Sequence, residues 1–193
     1  MPTIYRDDLS DRLIHLTKGE PEQAMGTLLT IIDERRLIGG IGYIKGKHHC
    51  VCFSESPISK IGFLLAQPRE DVKYKPYGIM FRKTWIYRKG GRPVFYQSEQ
   101  DYAKLPPELQ HLHVRFDLSY SPPTDHSWER EWRLRADELP FTPDDVSLIL
   151  PNRAVLDVMV EQHLEAAGTP FPWRYILLED LGVPVDHGLI ADA

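Results

Sequence analysis

Ala24, Met25, Leu28, Leu29 and Ile32 recur at the three-and-four spacing of a single helix face, just behind Pro21, a residue suited to a first helical turn. The pattern predicts a helix over about residues 21–37, stopped by Gly39 and Gly40. His49 to Ser54 reads as a short buried strand, followed by a turn at Pro57 and a short amphipathic segment through Leu65. Tyr77 to Arg82 and Pro93 to Gln97 read as two further strands. Leu112, Val114, Phe116 and Leu118 alternate with more polar residues, which predicts a strand with those four on one face. Trp128 to Leu134 and Val146 to Leu150 are also strand-like, Asn152 is a good N-cap for a helix to about Ala167, and Gly168 ends it. Trp173 to Leu178 is a last strand. Many strands with few helices, not in strict alternation, predict a single α+β domain over residues 1–193, with a mixed, largely antiparallel sheet.

Composition agrees with an ordinary folded domain: 193 residues, 42% hydrophobic and 26% charged. No apolar run reaches the roughly 18–20 residues of a membrane span. The opening Met1–Asp8 shows no basic region followed by an apolar run, so a soluble cytoplasmic protein with no membrane partner is expected. Cys50 and Cys52 are not expected to form a disulfide. A metal site built from His48, His49, Cys50 and Cys52 is not expected either, because adjacent residues cannot easily close a tetrahedron.

Charge divides the chain. Residues 1–96 carry 16 Lys/Arg against 10 Asp/Glu, and residues 97–193 carry 7 against 18. Such asymmetry can mark an anionic ligand. The densest basic segment runs from Phe81 to Arg92, where Arg82, Lys83, Arg88, Lys89 and Arg92 are interleaved with Trp85 and Tyr87. Cations beside stackable rings suit phosphate or single-stranded nucleic acid. The plainer reading is a solvated hairpin or short helix whose rings help fill the core.

The string Trp128-Glu129-Arg130-Glu131-Trp132-Arg133 carries the clearest candidate chemistry. In a strand, Glu129, Glu131 and Arg133 would line one face and Trp128, Arg130 and Trp132 the other. Two carboxylates at alternate positions can share one sugar, one binding a hydroxyl and one stabilising positive charge. An exposed strand with a salt bridge would carry the same residues. His15 and Thr17 face one way in an extended segment and could hydrogen-bond a ligand together. Ser54 and Ser56 stand where a buried strand ends before Pro57, as ligand contacts or as a cap and turn. A phosphate-binding glycine loop, a nucleophile elbow and a zinc-protease helix motif are absent.

His15-x-Thr17, Cys52-Phe53-Ser54-Glu55-x-Pro57, Tyr77-Gly78-Ile79 with Pro93-Val94-x-Tyr96, and Trp128-Glu129-x-Glu131-Trp132-Arg133, in that order, resemble the bacterial AbiGi-like abortive-infection family over about residues 10–150. That family is associated with phage resistance and is sometimes described as an antitoxin. More distantly, an early His, a middle aromatic or Ser and a late Glu are similar to the signature of the ADP-ribosyltransferase fold, including the DarT-type enzymes. The resemblance implies NAD as a substrate, with no metal. His15 and Thr17 would hold the adenosine-side ribose, and Tyr77 or Ser54 would take the middle position. Glu131 would be the catalytic carboxylate, Glu129 would orient the acceptor, and Arg133 would lie beside the cofactor. Arg82, Lys83, Trp85, Arg88, Lys89 and Arg92 would meet pyrophosphate or a nucleic-acid acceptor.

Three functions are therefore in view. The chain transfers ADP-ribose from NAD, or cleaves NAD, in bacterial defence or a toxin–antitoxin pair. Alternatively it is a non-catalytic antitoxin or regulatory module that binds a cognate protein. The third reading is a metal-dependent nuclease, for which Arg133 stands where a lysine is wanted.

Overall fold

Local signals set most of the elements. The computed structural model describes residues 9–66 and 73–182; the opening Met1–Asp8, read above for a leader, lies outside them. In chain order the elements are β1 (Arg12–Lys18), α1 (Pro21–Glu34), β2 (Arg36–Ile38), β3 (Cys50–Ser54), α2 (Ile58–Ala66), β4 (Tyr74–Arg82), α3 (Lys83–Arg88), β5 (Arg92–Pro93), β6 (Phe95–Gln97), α4 (Glu99–Tyr102), β7 (His113–Arg115), β8 (Glu131–Arg135), β9 (Glu138–Pro140), β10 (Val146–Leu150), α5 (Arg153–Ala167) and β11 (Arg174–Leu177). Seven of the strands belong to a mixed, mostly antiparallel sheet accompanied by a few helices, the expected α+β class. Among the described residues no helix is long and apolar enough to cross a membrane.

The chain divides into two compact units that interleave along the sequence. The first takes residues 9–13, 36–57 and 82–140, the second residues 14–35, 58–66, 73–81 and 141–182.

The second unit is built around apolar strands. β10 pairs antiparallel with β4 (Leu148 opposite Ile79) and parallel with β11 (Leu150 opposite Leu177). A parallel neighbour requires a crossover, and α5 supplies it. Asn152 caps α5 by accepting from the Val155 amide at 3.0 Å, and Gly168 closes it in the left-handed conformation. Ile14, Leu16, Ile61, Met80, Ile149 and Leu178 form one buried cluster. Gly78 lets β4 approach β1, because a Cβ there would lie 2.4 Å from the His15 carbonyl oxygen.

The first unit contains β3, β8 and β5, paired antiparallel with Ser54 opposite Glu131 and Pro93 opposite Trp132. The small antiparallel pair β2–β9 and the parallel pair β6–β7 belong to it as well.

Three expectations are corrected. The first helix ends at Glu34, short of residue 37, because Arg35 turns left-handed (φ 52°) and Leu37 is buried in β2 opposite Leu139. The strand expected over Leu112–Leu118 is a 3₁₀ turn, Pro107–Leu112, followed by the short β7. Its inward residue is His113, while Leu118 is exposed, since Asp117 accepts from the Ser119 amide and hydroxyl and bends the chain away. Thirdly, Trp128–Leu134 is not one strand. Ser127–Glu129 forms a 3₁₀ turn, Arg130 is left-handed (φ 46°), and β8 begins only at Glu131.

Candidate functional site

The carboxylate string lies in the first unit, and its shape follows from hydroxyls far away in sequence. Ser54 Oγ donates to the Glu129 carbonyl and Ser56 Oγ to the Trp128 carbonyl, both at 2.6 Å. Asp125 accepts from the Ser127 amide and hydroxyl, completing the turn. These bonds hold residues 127–130 out of extended geometry. Glu129 therefore does not continue the face of Glu131, and Trp128 is 45% exposed instead of lying in the core. This corrects the three-residue polar row expected from alternation.

What alternation does place together is Glu131 and Arg133, and the structure makes them an ion pair. Arg133 Nε donates to Glu131 Oε1 at 2.8 Å and Nη2 to Oε2 at 3.0 Å, the bidentate fork. Its Nη1 donates to the carbonyls of His111 (2.7 Å) and His113 (3.1 Å). Arg133 is only 4% exposed. Burial by itself would lower its pKa, but the Glu131 carboxylate outweighs that and leaves it above the ordinary arginine value. The Glu131 amide donates to the Tyr96 hydroxyl at 2.8 Å. Burial, with the carboxylate adding to it, pushes the Tyr96 phenol up to about 12.

Cys50 and Cys52 stand opposite Arg135 and Arg133 in the β3–β8 pairing, and neither is in a disulfide. Burial raises Cys50 to about 11, and burial together with Glu131 raises Cys52 further. His111 and His113 are buried, each with an Nδ1 that has no hydrogen-bond partner among the described residues. The His113 Nε2 lies 3.1 Å from the Ser98 carbonyl oxygen, and the His48 and His111 rings meet edge to face.

A second polar knot involves Glu55. It accepts from Trp132 Nε1 and from Lys83 Nζ, each at 2.7 Å. Lys83 is thereby committed to an ion pair, whereas it was expected to contact phosphate. The rest of the basic segment is α3 and the turn after it. Arg82, Arg88 and Lys89 are exposed, Trp85 is half-buried with Lys89 Nζ 5.0 Å from its ring centre, and Arg92 stacks on Tyr87.

The other expected ligand contacts fall in the second unit. His15 and Thr17 are on β1, where Thr17 is buried and its hydroxyl donates to the Tyr77 carbonyl at 3.0 Å. Tyr77 is fully buried on β4, so its ring offers no open face for stacking. Its hydroxyl has no partner among the described residues, and burial raises the phenol to about 12. Ser54 is in the first unit, occupied with the Glu129 carbonyl and with the Ser56 amide, which donates to it at 3.1 Å. Among the described residues no group of three or more His, Cys, Asp or Glu is placed to hold a metal ion. A pocket of about 400 Å³, lined by Glu99, Arg115, Asp117 and Tyr120 among others, contains none of the expected site residues.

Sequence reasoning missed the roles of Glu55, Tyr96, His111 and His113. Glu55 and Tyr96 stood inside the quoted strings, but only strand register brings them to Trp132 and Glu131. Compared with protein-family models, curated proteins and solved structures, the chain matches none. The likeness to the abortive-infection family therefore rests on the residue strings alone.

Proposed function

We propose that this chain is a non-catalytic binding module of a bacterial defence system, working in the cytoplasm as an antitoxin or regulator, and that it does not use Glu131 to cleave NAD. The observation that supports this reading is the closed Glu131–Arg133 pair. A carboxylate that stabilises an oxocarbenium-like sugar acts through uncompensated negative charge in a preorganised site. Here both carboxylate oxygens face a guanidinium within 3.0 Å, so a developing cation would meet a nearly neutral pair. The remaining Arg133 contacts are main-chain carbonyls, which is how a buried arginine ties a loop to a strand. The defence setting comes from the strings that resemble the abortive-infection family.

The test is nicotinamide release from NAD by the purified protein, with and without nucleic acids and lysate, beside Glu131→Gln. The expected result is no release from folded protein and a lowered melting temperature for the variant, because Arg133 loses its charged partner. Release that disappears in a Glu131→Gln protein of unchanged melting temperature would overturn the proposal and restore the NAD reading.

A further inference from the structure

In the first unit, α3 and the turn that follows place exposed positive charge beside open aromatic surface. Gly90 takes φ +104°, open to glycine and rarely to other residues. Gly91 packs directly on α3, since a Cβ there would lie 2.4 Å from Ile86 Cγ2. This tight return brings Arg92 back over the helix. Its guanidinium carbon lies 4.1 Å from the Tyr87 ring centre, and its Nη1 donates to the carbonyls of Tyr87 (3.0 Å) and Gly91 (2.7 Å). A guanidinium tethered in this way is a fixed plane on a ring that is itself 53% exposed. Arg82, just before α3, Arg88, its last residue, and Lys89, just after it, are exposed cations.

We propose that this surface binds single-stranded nucleic acid, with phosphates on Arg82, Arg88 and Lys89 and an unpaired base stacked on the Arg92–Tyr87 pair. The assignment rests on the binding-module reading above and names that module's partner. Unpaired bases have free π faces for a planar guanidinium or a tyrosine ring, and their phosphates follow a line of cations. A duplex keeps its base faces covered and gains nothing from the stack. An anionic membrane would want an apolar face beside the cations, but the aliphatic residue of α3, Ile86, is fully buried.

The test is fluorescence anisotropy of the full chain with a labelled mixed-sequence single strand. The matching duplex and phosphatidylserine vesicles serve as competitors, over a range of salt. Single strands should bind in preference to both. Three phosphate contacts should give a log–log salt slope of about −2. An Arg88→Glu/Lys89→Glu double variant should lose at least about tenfold in affinity and most of that slope. Tyr87→Ala should lose about tenfold with the slope unchanged, because stacking carries no counterions. Circular dichroism establishes that both variants fold. No binding of single strands at low salt, equal binding of duplex or vesicles, or unchanged affinity in both variants would overturn the proposal. Nicotinamide release from the same preparations reads the module proposal separately: protein that neither binds single strands nor releases nicotinamide rejects this surface alone.

Discussion

The two units are held together by different chemistry. In the second, strands β4 and β10 carry the buried apolar runs Ile79–Phe81 and Leu148–Leu150, and the polar contacts are few, the Thr17 hydroxyl on the Tyr77 carbonyl and helix caps such as Asn152. In the first, buried polar side chains tie distant pieces of backbone. Arg133 holds two carbonyls about a 3₁₀ turn, Ser54 and Ser56 hold two more, and Glu55 collects an indole and an ammonium. Apolar packing tolerates change in proportion to the volume lost, whereas a buried polar network fails sharply when one member leaves its partners unsatisfied. The first unit should therefore be the more brittle in response to single substitutions, although the second buries the longer apolar strands.

That contrast can be broken by measurement. Arg133→Ala should cost most, about 4 kcal/mol in urea unfolding, because it strands a largely buried carboxylate and two carbonyls at once. Leu148→Ala in the second unit should cost about 3 kcal/mol through cavity formation. If its cost exceeds that of Arg133→Ala, the brittleness assigned to the polar unit is wrong. Trp132→Phe keeps a ring but removes the donor to Glu55, and about 2 kcal/mol should be lost in the same denaturation experiment. Asn152→Ala should cost about 1 kcal/mol, the ordinary value of a lost cap.

The smallest effect is acid sensitivity. Burial holds His111 below its ordinary pKa of 6.5, with His48, Arg135 and Arg133 adding to the shift. The folded protein then binds fewer protons than the unfolded chain once pH falls below that ordinary value. The associated stability is present above about 6.5 and is lost as pH falls toward the depressed value. In His111→Gln, the melting temperature should fall less steeply on acidification. An identical slope in the variant would take this histidine out of the account.

Legibility followed the same division. Pro21, Asn152 and Gly168, and the apolar runs of β4 and β10, are local signals, and reading along the chain found the elements they define. The alternation rule likewise placed Glu131 beside Arg133. What alternation could not show is that Ser54 and Ser56, more than 70 residues away, bend residues 127–130 out of the strand. Tyr77 was misjudged for a related reason. The resemblance gave it the middle, ring-stacking position, but on β4 it is fully buried, which no local string reveals. Local pattern specifies an element, while its ends and its polar partners are set by long-range contacts that periodicity does not encode.

The cysteine pair of β3 gives the first unit an internal timer. Alkylating reagents consume thiolate, and burial keeps both thiols overwhelmingly protonated near neutral pH. Cys50 and Cys52 should thus react slowly while β3 remains paired with β8, and faster modification should follow opening of that pairing. Labelling rates read by mass spectrometry would follow the opening of this strand pair in the intact protein, without denaturant.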